Sequence, residues 1–67
     1  MDFRLARVAA RLTQFDVRIR TGVNQTKISH IERGYLVPSE KDKQLLAKAV
    51  NRRPDEINWP EQGMAKS

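Results

Sequence analysis

Gln25, Thr26, Ser29 and His30 are the residues here best suited to recognising another molecule's hydrogen-bonding edge. An amide presents a donor beside an acceptor, a hydroxyl carries both on one atom, and an imidazole can do either. At helical spacing these four fall on one side, and Ile28 and Ile31 fall on another. Base pairs present such edges in the major groove. An amide like Gln25 can bond N6 and N7 of an adenine together, and Thr26 can offer its methyl to thymine or its hydroxyl to an edge. The plain alternative is a solvated helix surface.

Other chemistries find little support. Nothing pairs a nucleophile with a base, and no glycine loop is built to cradle a phosphate, so enzymatic activity is not expected. The chain has no cysteine and a single histidine, His30, so neither a disulfide nor a bound metal is expected. No cofactor is implied. No apolar run approaches the roughly 18 residues of a membrane span, and no signal peptide opens the chain. A soluble cytoplasmic protein without membrane contact is the expectation.

The 67 residues carry a formal charge of +5. The excess is localised. Over residues 3–35, Arg4, Arg7, Arg11, Arg18, Arg20, Lys27 and Arg33 face only Asp16 and Glu32, whereas residues 36–67 are nearly balanced. A basic half around the polar row favours a polyanion as partner, nucleic acid first.

The elements that must position this row read as short helices. Asp2 is an N-cap for a first helix through about Arg11, with Leu5, Val8, Ala9 and Leu12 as its apolar stripe and Arg4, Arg7 and Arg11 on a solvated face. Thr13 and Asp16 form a capping box for a second helix, Gln14 to about Thr21, with Val17 and Thr21 inward and Gly22 ending it. Asn24 caps a third helix to about Arg33, Val23 is a staple onto Ile28, and Gly34 closes it. Ser39 and Asp42 open a fourth helix with Leu45, Leu46, Ala49 and Val50 buried, and Asn51 stops it in a left-handed conformation. Pro54 starts a short fifth helix ended by Pro60, with Ile57 and Trp59 as apolar contacts. Residues 1–60 would form one domain and 61–67 a flexible tail. The expected class is all-α, a five-helix domain with two helices steeply joined at Thr21-Gly22-Val23-Asn24.

These residues resemble the lambda-repressor/Cro-type (XRE-type) helix-turn-helix family. The match runs through Leu12-Thr13-Gln14, Val17, Thr21-Gly22-Val23, Gln25-x-x-Ile28-Ser29-x-Ile31-Glu32-Arg33-Gly34, Pro38 and Leu46-Ala47-x-Ala49, over residues 3–59. The resemblance implies sequence-specific binding of double-stranded DNA by a small transcriptional regulator of bacterial, phage or plasmid type. That regulator would be a repressor, acting as a homodimer on a pseudo-palindromic operator. Base reading is implied for Gln25, Thr26 and His30, with Ser29 beside them. Gln14 is implied to touch phosphate and brace Gln25. Lys27, Tyr35, Ser39 and Lys41 are further phosphate candidates. The family's usual alanine is replaced by Arg18, which must bend outward, toward a phosphate, or hold the helices apart. Arg52 likewise stands where a small apolar residue is usual.

Other residues are open to two readings. Glu32 is expected to pair with a nearby arginine or the turn backbone. Phe15 and Ile19 are expected to pack on the first or fifth helix; exposed instead, they would favour a protein partner and an antitoxin role. Trp59 either caps the core or lies in a dimer interface.

Overall fold

A short backbone contact joins the first residues to the segment after the last turn. The computed structural model describes residues 1–61. Asp2 pairs with Asn58 in a single parallel bridge, and the Asn58 N–H donates to Met1 O at 2.7 Å. Between these ends lie α1 (Phe3–Ala9), α2 (Gln14–Thr21), α3 (Gln25–Glu32), α4 (Glu40–Ala49) and a three-residue 3₁₀ turn, Pro54–Glu56. The expected tail lies, from residue 62 on, outside the described residues.

Every predicted N-cap closes its helix. The side chains of Asp2, Thr13, Asn24 and Ser39 accept from the N–H groups of Leu5, Asp16, Thr26 and Asp42. Thr13 and Asp16 complete both halves of a capping box. That backbone hydrogen bond from Thr13 holds the Asp16 carboxyl below its ordinary value.

The C-termini use left-handed residues. After α3, Gly34 (φ 81°) lets Tyr35 N–H reach His30 O at 2.8 Å and its own N–H reach Ile31 O at 3.1 Å. This is the Schellman arrangement, which satisfies carbonyls that the helix leaves open. Asn51 (φ 60°) does the same after α4, where Arg52 N–H donates to Ala47 O. Arg11 (φ 61°) does it after α1, so α1 stops short of Arg11.

Two expectations are corrected. Among the described residues there are four α-helices, not five. Pro54 starts the fifth element as foreseen, but Ile57 is already extended (φ −108°, ψ 134°), its side chain buried, and Asn58 reaches the N-terminal residues. The apolar stripe of α1 is also the other one. Phe3 and Ala6 are buried, whereas Leu5 is 58% and Val8 55% exposed. Both sets have helical spacing. The choice falls to Phe3 and Ala6 because they share their face with Arg7, which is drawn toward α3. Phe3 also stacks on Trp59, with ring centroids 5.8 Å apart.

Ile28, Ile31, Leu46 and Val17 are the largest fully buried side chains, contributed by α2, α3 and α4. Fully burying a side chain of this type is worth about 1.5–3 kcal/mol. On α4 the buried face is Leu46, Ala47 and Val50, with Leu45 packed at its margin. Trp59 closes the core from below, half-buried, its indole N–H donating to Pro54 O at 3.0 Å. It thus takes the capping role of its two readings.

Candidate nucleic-acid interface

The turn between α2 and α3 is short because three groups fold it tightly. Gly22 takes φ 77°, and its N–H donates to Arg18 O at 2.8 Å. The Thr21 hydroxyl donates to Val17 O and accepts from Val23 N–H, at 2.7 and 3.0 Å. Val23 is buried beneath the turn, which fixes where α3 begins.

α3 is then anchored along its inner side. Ile28 and Ile31 enter the core, and two charged contacts hold the helix on either side of them. At its C-terminal end, Glu32, with a side chain only 4% exposed, takes a two-toothed contact from Arg7: Nε to Oε2 at 2.7 Å and Nη2 to Oε1 at 3.1 Å. Arg7 also donates to Leu12 O, and Gln14 Nε2 donates to Glu32 Oε1 at 3.1 Å. This set ties α1, α2 and α3 together. Toward the N-terminal end, Lys27 Nζ lies 2.7 Å from Asp42 Oδ2, in the first turn of α4. The Lys27 ammonium paired with it holds the Asp42 carboxyl below its ordinary value of 3.8, against a smaller opposing effect of burial.

The polar row points the other way. Gln25, Thr26 and His30 are exposed, and Ser29 is half-buried between them and the Arg7 side of the helix. The His30 ring lies 6.1 Å from that of Tyr35, which is 67% exposed. Ser39 and Lys41 are exposed at the start of α4, where the Ser39 hydroxyl is occupied as a cap. Arg18 is exposed and bends outward, its guanidinium carbon 5.8 Å from the Phe15 ring centroid.

Several sequence readings gain detail or change here. Glu32 does pair with an arginine, and that arginine is Arg7, which is therefore not on a solvated face; Arg4 and Arg11 are exposed. Gln14 spends its amide on Glu32, and among the described residues no hydrogen bond links it to Gln25. Lys27 is committed to Asp42, a partner that sequence reasoning treated only as half of a cap. The signal was available: Lys27 falls on the helix side away from Gln25 and Thr26. Phe15 and Ile19 do not pack on other helices; they are 53% and 63% exposed.

A family model described as a helix-turn-helix domain matches residues 2–63 of the chain. No curated protein and no solved structure matches it.

Proposed function

The chain belongs to the helix-turn-helix domain family, and on that premise we propose that it binds double-stranded DNA sequence-specifically, as a small transcriptional repressor. The observation that carries this reading is α3 itself. It is anchored by Ile28, Ile31, Glu32 and Lys27, and it turns Gln25, Thr26 and His30 outward. Its eight residues span about 12 Å, a length suited to the major groove. Gln25 and Thr26 read base edges from the N-terminal end of the helix, and His30 and Ser29 follow one turn on. In this reading Tyr35, Ser39, Lys41, Arg18 and the second amide hydrogen of Gln14 make phosphate contacts, which set register rather than sequence. The protein acts as a homodimer, each copy taking one half-site, with centres about 34 Å apart.

Selection of bound sequences from a random duplex pool tests this directly. A two-fold symmetric consensus with half-sites one helical turn apart is expected, and Gln25→Ala blurs it at one position per half-site. Enrichment of no consensus would overturn the reading.

One observation favours a second role, that of an antitoxin binding a partner protein while repressing its own operon. Phe15 and Ile19 stand exposed on α2, one turn apart. Phe15→Ser/Ile19→Ser would then abolish neutralisation of the partner and leave the selected DNA consensus intact.

A further inference from the structure

An open cleft of about 350 Å³ lies beside α3, lined by Arg4, Arg7, Gln14, Ser29, Glu32 and Arg33. Its charge is uneven. Glu32 is its one acid, and both of that carboxylate's oxygens are taken by Arg7 and Gln14. Arg7 is largely spent, since its Nη1 also donates to Leu12 O and its charge is paired with Glu32. Arg4 and Arg33 are exposed, and among the described residues neither is in an ion pair. Two uncompensated guanidiniums thus face one concave, polar space. A pocket of this kind attracts an anion, and guanidinium geometry suits a phosphate.

The cleft also lies in line with the exposed row. Ser29 and Arg33 continue the face of Gln25 and Thr26, with Arg33 about 10 Å beyond Thr26 along the helix axis. Arg4 meets that face from α1. A helix in the major groove is flanked by the phosphates of the groove walls, and a group at its far end from Gln25 would meet one of them.

We propose that this cleft seats one backbone phosphate of bound duplex DNA, gripped between Arg4 and Arg33, with the Ser29 hydroxyl as a further donor. The assignment rests on the reading of α3 as the groove-entering helix and adds to it the residues that fix its far end. It also gives the Arg7–Glu32–Gln14 contact a second consequence: by neutralising Glu32, it keeps the floor of the cleft from repelling the phosphate.

The test is the salt dependence of binding to a random-sequence duplex, measured by fluorescence anisotropy on the full chain between about 50 and 200 mM salt. Neutralising one phosphate contributes a slope of about −0.9 in log K against log salt. The double variant Arg4→Gln/Arg33→Gln is expected to lose about that much, because both side chains share one phosphate. Arg4→Lys/Arg33→Lys should retain most of the slope. Lys48→Gln/Arg53→Gln, which removes the same charge at and just beyond the C-terminal end of α4, should leave the slope unchanged. A wild-type slope that the double variant keeps, or an equal loss in Lys48→Gln/Arg53→Gln, would overturn the cleft assignment while leaving the groove reading intact. Absence of any salt-dependent DNA binding by the wild type would overturn both.

Discussion

Lys27 and Asp42 show how much a single ion pair can depend on which partner is buried. The Lys27 side chain is 42% exposed and that of Asp42 only 12%. Removing the carboxylate frees an ammonium that can turn to water. Removing the ammonium strands a carboxylate that cannot. Lys27→Met is therefore expected to cost roughly 2–3 kcal/mol and Asp42→Asn about 1 kcal/mol, by denaturant unfolding. Equal losses would mean that the pair is fully solvated. The pH dependence has a definite sign. Lys27 lowers the Asp42 pKa in the folded chain below the ordinary 3.8, so the stabilisation is complete above that value and is lost as pH falls through the folded one. The stability difference between wild type and Asp42→Asn should accordingly be flat at neutral pH and shrink below about pH 4.

At the level of elements, the end of α1 is the strained part of the design. Arg11 occupies a left-handed conformation that costs a side chain with a Cβ about 1–2 kcal/mol. It is exposed, and among the described residues its side chain makes no hydrogen bond or ion pair. Arg11→Gly should raise stability by about 0.5–1 kcal/mol after the greater chain entropy of glycine is set against the relieved strain. A thermal melt some degrees higher is the expected outcome, and a lower one would show that Arg11 contributes a contact worth more than its strain. The two turns with glycine need no such trade. Gly22 and Gly34 adopt φ 77° and 81° without penalty, which is why the ends of α2 and α3 were legible from composition alone while the end of α1 was not.

Over the whole molecule, the fold leaves two surfaces with different characters. One carries the exposed polar row and the arginine-lined cleft. Elsewhere Leu5, Val8, Phe15 and Ile19 are each more than half exposed, an unusual apolar load for a chain of 67 residues. The proposed homodimer requires that two copies meet on DNA. Sedimentation across a concentration series should give two chains per duplex carrying the selected consensus, and one chain per duplex at saturation would remove the dimer from the proposal. Trp59 packs on the core, its ring stacked on Phe3 and its N–H donated to Pro54 O.

The local chemistry of this protein was written in the sequence. Caps at Asp2, Thr13, Asn24 and Ser39, and turns at Gly22, Gly34 and Asn51, act over one to four residues, so residue type and spacing suffice to place them. The buried face of α3 was legible for the same reason, because Ile28 and Ile31 are its only apolar residues, whereas α2 offered Phe15 and Ile19 as well as Val17 and buries only Val17. What remained for the tertiary structure was every choice between equals. α1 carries two apolar stripes of the same period, and the one that faces inward is set by Arg7 reaching Glu32, a residue 25 positions away. Lys27 looks like any exposed cation until α4 brings Asp42 within 2.7 Å. The cleft between Arg4 and Arg33 exists only because the fold brings α1 beside the C-terminal end of α3. Such contacts join groups distant in the chain, and no periodicity or cap signal reaches that far.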